Sequence, residues 1–112
     1  MEPVPVSGRY TKRQRAVYDA VLHVHNQAFK WLRPNVVYFD FQKEIEKLME
    51  SELVKLKLID KTDIKNQRPE SPAWRKYFYH GTSHMLGLDV HDVGNMHAKV
   101  QLGSVWTIEP GI

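Results

Sequence analysis

Tyr79-His80-Gly81-Thr82-Ser83-His84-Met85-Leu86-Gly87-Leu88-Asp89-Val90-His91-Asp92-Val93-Gly94 joins a strand-like alternation to a dense set of ionisable side chains. Leu86, Leu88 and Val90 alternate with Gly87, Asp89 and His91, so one face of an extended segment would be apolar and the other polar. The same period occurs just before, in Tyr77-Phe78-Tyr79, and returns in Val105-Trp106-Thr107-Ile108-Glu109. The C-terminal part therefore reads as strands.

Upstream the period changes to that of a helix. Thr11-Lys12-Arg13-Gln14 fits a capping box, in which a threonine hydroxyl and a glutamine side chain satisfy each other's free backbone N–H groups. Val17, Val21, Val24, Ala28 and Trp31 then form one apolar stripe until Arg33-Pro34 stops the helix. A second stripe is Phe41, Ile45, Met49, Leu53 and Leu56, with Lys43, Glu46, Lys47 and Glu50 mostly off it. Pro69 and Pro72 interrupt the polar stretch that follows, which reads as an exposed connection with little regular structure. The fold class expected is α+β. Helices over about 11–33 and 39–57 and a connection over about 58–75 lead into strands over 76–112, with the helices covering one face of an antiparallel sheet.

The 112 residues are enough for one modest core. Ordinary apolar and charged fractions argue against disorder, and no apolar run approaches the ~20 residues of a membrane span. No membrane partner is expected. A net charge of +3 is small for a nucleic-acid binder, and the cluster Arg9, Lys12, Arg13 and Arg15 reads as the solvated start of a helix, so no nucleic acid is expected either. The chain has no cysteine, which removes disulfides, thiolate nucleophiles and Cys-type zinc sites and fits a cytoplasmic location.

Chemistry then falls to His, Asp and Glu. Four of six histidines lie between positions 80 and 97, whereas His23 and His25 sit on the first helix and read as structural. His80 and His84 have the spacing of paired zincin ligands, but Gly81 stands where that motif requires glutamate. Ser83 lacks the Gly-x-Ser-x-Gly elbow of a serine hydrolase. Glu109, at a strand end before the turn pair Pro110-Gly111, is placed where a metal ligand can stand.

The run from Tyr79 to Gly94 closely resembles the signature of the aminopeptidase P branch of the pita-bread metallopeptidases, and Val105-Trp106-Thr107-Ile108-Glu109-Pro110-Gly111-Ile112 resembles that family's later glutamate strand. Ser7-Gly8-Arg9-Tyr10-Thr11, with Gln14-Arg15 and Tyr18, is similar to the start of its first helix. Prolidase shares much of this pattern, but tends to have glycine where Ser83 stands. The resemblance implies part of a pita-bread fold, with two amphipathic helices packed on a curved, mainly antiparallel sheet. It implies two divalent ions in the complete protein, often manganese, held by two aspartates, one histidine and two glutamates. His84 matches the histidine ligand, and Glu109 matches a glutamate that is both ligand and general base. His91 matches the histidine that hydrogen-bonds the scissile amide. His80 matches one that positions substrate near its proline. The substrates implied are peptides with proline at position two.

On the same resemblance both aspartates would lie upstream of Ser7 and the second glutamate beyond Ile112. The chain is therefore expected to be a fragment, inactive alone, with weak or no metal binding. Asn35 replaces a glycine common in the family, which its tolerance of the left-handed region permits. The stretch from Val93 to Leu102 is shorter than usual. Half of a curved sheet would expose strand edges and apolar surface, so a homodimer or larger species is expected. A non-catalytic pita-bread module that binds peptide or protein is the competing reading; retention of all four site residues argues against it.

Overall fold

Thr11 begins the first helix with both halves of the capping box in place. Its hydroxyl accepts from Gln14 N at 3.2 Å, and its own N–H donates to Gln14 Oε1 at 2.9 Å. The computed structural model describes residues 3–112, with helix α1 at Lys12–Trp31 and helix α2 at Tyr38–Lys55. Pro34 and Asn35 make the bend between them, and Asn35 takes φ 71°, the left-handed conformation that asparagine tolerates. The Asn35 N–H donates to Val100 O and the Val100 N–H to Val36 O, both at 2.8 Å. This pins the distant 99–100 segment to the start of α2.

The core lies between the two helices. Val24 and Ala28 of α1 meet Phe41, Ile45, Met49 and Leu53 of α2, with Phe78 closing one side, and each of these is buried. The whole apolar stripe expected on α2 is buried, including Leu56. On α1 the buried face is Ala20, Val24 and Ala28, while Val17 and Val21 are only partly covered and line an open groove. That groove, of about 810 Å³, runs between α1 and residues 108–112. Principal extents of 39 × 39 × 22 Å describe a plate. Among the described residues no helix is long and apolar enough to cross a membrane.

Two expectations need correction. The connection over 58–75 holds a helix, α3 at Lys61–Asn66, and a 3-10 turn at Ala73–Lys76. Asp60 and Asp63 form a second capping box, a signal present in the sequence but hidden by the polar composition and prolines around it. The curved, mainly antiparallel sheet over 76–112 is not formed among the described residues. They contain no continuous strand, only isolated antiparallel bridges at Val37–Lys99, Arg68–Ser71 and Met85–Trp106. Tyr77 follows directly on the 3-10 turn. Leu86 to Gly94 curls because Asp92 folds back: its N–H donates to Met85 O at 3.1 Å, and its carboxylate accepts from Leu88 N and Val93 N. Gly87, Asp89, Asp92 and Gly94 are turn residues, and here they outweigh the alternation, which leaves Leu88 and Val90 exposed.

A cluster centred on one buried carboxylate ties α1 to α2. Glu52, 6% exposed, accepts from Lys55 Nζ at 2.7 Å and pairs with His23 Nδ1 at 2.9 Å, both on Oε1. Burial pushes the Glu52 carboxyl up, but the hydrogen bonds and charges of Lys55 and His23 together outweigh it and hold it below the usual carboxylate range. A lowered folded-state value stabilises the protein above the unfolded carboxylate pKa of about 4.3, and that contribution fades as pH falls through the folded value. Glu52→Gln should therefore lower stability at neutral pH by about 1–3 kcal/mol and flatten the acid side of a melting-temperature profile. An unchanged acid limb would show that Glu52 does not carry this linkage.

Candidate functional site

Two segments run antiparallel in a single register. Leu86 N–H donates to Val105 O at 3.1 Å, Thr107 N–H to His84 O at 2.9 Å and Glu109 N–H to Thr82 O at 2.8 Å. Thr107 uses its side chain as well: its hydroxyl accepts from His84 N at 3.0 Å and donates to Glu109 Oε1 at 3.1 Å. A ladder bond from His84 N to the Thr107 carbonyl is thereby replaced by one to the hydroxyl, which is why this pairing is a single bridge and not a strand pair. Sequence reasoning passed over Thr107. Its position two residues before Glu109, on the same side of an extended segment, is the signal that would have found it.

This register brings His84 Nε2 to 2.8 Å from Glu109 Oε1. The histidine side chain is mostly covered and the glutamate is half exposed. His84 Nδ1 lies 2.9 Å from Met85 O, and a carbonyl can only accept, so Nδ1 carries the proton in that bond. In the neutral ring, Nε2 is then a lone pair aimed at a carboxylate oxygen. Two acceptors do not stand at that distance unaided; a shared proton or a cation must lie between them. Two donors each about 2.1 Å from one divalent ion are separated by about 3 Å, so only a small opening would admit one. The imidazole nitrogen and carboxylate oxygen thus fit a divalent metal in type and spacing, as two donors of a larger set. Among the described residues no group of three or more His, Asp or Glu could hold an ion.

The other two histidines fall nearby but apart from each other. The His91 ring lies on that of His84, with centroids 4.0 Å apart, and is otherwise exposed. His80 Nδ1 bonds Gly81 O at 2.9 Å, which leaves its Nε2 free beside Gly111, where an added Cβ would stand 3.2 Å from it. Its ring meets the edges of Phe78 and Tyr79. His23 lies in the Glu52 cluster and His25 on the groove, on α1 and outside the His84–Glu109 contact.

The His84–Glu109 pair offers two donors of the kinds that metal-dependent hydrolases use. The metallopeptidase family M24 model matches residues 4–112, and the chain belongs to that family. It is 38% identical to the Xaa-Pro aminopeptidase of Escherichia coli and 36% identical to that of Haemophilus influenzae, over 96% of this chain in each case. Among solved structures, a histidine-to-alanine variant of E. coli aminopeptidase P superposes with TM-score 0.80 at 35% identity, covering 96% of this chain and 25% of that one. The proline aminopeptidase P II of Yersinia pestis gives 0.81 at 36%, with the same coverage. The chain spans about a quarter of the length of the relatives it matches.

The turn that carries His91 depends on Gly87, where a Cβ would occupy the place of the Asp92 carboxylate. Gly87→Ala should displace Asp92, destabilise the chain by about 1–3 kcal/mol and free the His91 ring from His84. Thermal unfolding and the cross-peak between the two imidazoles in proton NMR measure this; a retained cross-peak with unchanged stability would contradict it.

Proposed function

We propose that this chain is the part of a Xaa-Pro aminopeptidase that carries His84 and Glu109. Such an enzyme is a metal-dependent hydrolase that removes the N-terminal residue of peptides with proline at position two. The 2.8 Å contact between a tautomer-fixed imidazole and a carboxylate carries this reading. The likeness to relatives named as Xaa-Pro aminopeptidases supports the substrate class over that of a dipeptidase.

In this reading His84 Nε2 and Glu109 are ligands of one of two divalent ions, manganese by resemblance, the remaining donors coming from a longer protein that also completes the curved sheet. Such an ion, when bound, polarises the scissile carbonyl and lowers the pKa of its water toward neutrality. Glu109, half exposed, takes the proton from the attacking water as general base. His91, free at the surface of the His84 ring, donates to the scissile amide as charge develops. His80 holds the substrate near its proline. Alone, with two donors, the chain binds manganese weakly and does not turn over.

A protein containing this segment within the complete domain should remove the first residue of an Xaa-Pro peptide with manganese present. There His84→Ala should lose metal and activity together. His91→Ala should keep its metal while turnover falls by roughly 100- to 1000-fold, the effect of one lost transition-state donor. Binding of Xaa-Pro peptides without cleavage under any divalent ion would replace this reading with that of a binding module.

The exposed Leu88, Val90 and Val93 and the open groove beside α1 also support self-association, as a homodimer or larger species. Light scattering at high concentration should give at least twice the chain mass; a monomer would contradict it.

A further inference from the structure

The His84–Glu109 pair rests on α2 through contacts that the ladder itself does not supply. Thr82 is fully buried and Ser83 nearly so, and their hydroxyls have no hydrogen-bond partner. The Thr82 backbone is held instead. Thr82 N–H donates to Gln42 Oε1 at 3.0 Å, across 40 positions of sequence. The same Gln42 oxygen accepts from the Tyr38 hydroxyl at 3.4 Å, and that hydroxyl also faces the backbone of Ser83. Gln42 Nε2 donates to Glu46 Oε1 at 3.2 Å, which fixes the way the amide faces.

Tyr38 also reaches the opposite segment. It is 6% exposed, and its ring stacks on Trp106 with centroids 5.3 Å apart and planes 17° apart. Trp106 is the bridge partner of Met85 and precedes Thr107. The hydroxyl also packs closely on Gly81, where an added Cβ would lie 3.1 Å from it and would have to push it back by a few tenths of an ångström. One turn of α2 therefore grips both segments just behind the imidazole and the carboxylate.

We propose that Tyr38 and Gln42 are positioning residues for the His84–Glu109 pair, acting through the backbone of Thr82 and Ser83 and the ring of Trp106. The role given to that pair rests on the metallopeptidase reading above; the grip itself is independent of it. Losing the Gln42 acceptor leaves a buried N–H unpaired, which costs more than the bond alone is worth. The segment would relieve that cost by moving, and His84 moves with it.

The test uses the 112-residue chain with three variants. Gln42→Met keeps the bulk of the side chain and removes the acceptor, Tyr38→Phe keeps the stacking on Trp106 and removes the hydroxyl, and Gln42→Glu combined with Glu46→Gln restores the acceptor without setting two carboxylates side by side. Amide hydrogen exchange and the broadening of the His84 ring signals by Mn²⁺ are the readouts. Gln42→Met should speed exchange at Thr82 about tenfold or more, with Val24 in the core unchanged, and half-broadening should need roughly tenfold more Mn²⁺. Tyr38→Phe should show the same at Ser83, and the Gln42→Glu, Glu46→Gln exchange should recover both readouts. Unchanged exchange at Thr82 and Ser83, equal acceleration at Val24, or no recovery with the Gln42→Glu, Glu46→Gln exchange would overturn the proposal. If Mn²⁺ fails to broaden His84 in the unsubstituted chain, His84 is not a metal ligand in this chain, and the exchange pattern still decides the positioning role.

Discussion

Three backbone hydrogen bonds set one register between residues 82–86 and 105–109, and the rest of the site depends on it. Side chains alternate across an extended segment, so a slip of one residue would turn His84 or Glu109 to the opposite face and part them. So short a pairing cannot hold itself in water. Its stability is borrowed from the helical layer, through Gln42 on Thr82, Tyr38 on Trp106 and the Val36–Val100 hydrogen bond that anchors the segment leading into Val105. The packed pair of helices is the platform, and the site is a thin arrangement laid over one end of it.

The platform was legible because its signals are local and mutually consistent. Thr11 and Gln14 announce the start of α1, and Phe41, Ile45, Met49 and Leu53 repeat at the helical period on a face that is buried throughout. Residues with no local signal escaped. Glu52 sits on the α2 sequence as an ordinary charge paired with Lys55, and the approach of His23 from α1 makes it the centre of a cluster between the helices. The paired capping aspartates of α3 were readable, but two prolines nearby argued for an irregular connection.

The strands fared differently because alternation reports what a segment would do beside neighbours. Residues 86–94 have the alternation, yet Asp92 satisfies the backbone of Met85, Leu88 and Val93 more directly than a strand partner could. Among the described residues the two site segments have no further bridge partner. At the site itself, the histidine density and the strand-end glutamate pointed to His84 and Glu109, and resemblance to a family supplied their roles. What sequence could not supply was the hydrogen bond from His84 Nδ1 to Met85 O, which aims Nε2 at Glu109. The tautomer is set by a carbonyl one residue along the chain, in a local backbone conformation that no spacing rule encodes.

That contact is also where the account is most exposed. Anomalous diffraction from crystals of this chain soaked in millimolar Mn²⁺ would locate any ion directly. The account places the strongest anomalous peak between His84 Nε2 and the Glu109 carboxylate, about 2.1 Å from each. A map with Mn²⁺ bound at the Glu52 cluster or elsewhere, and none between His84 and Glu109, would contradict it.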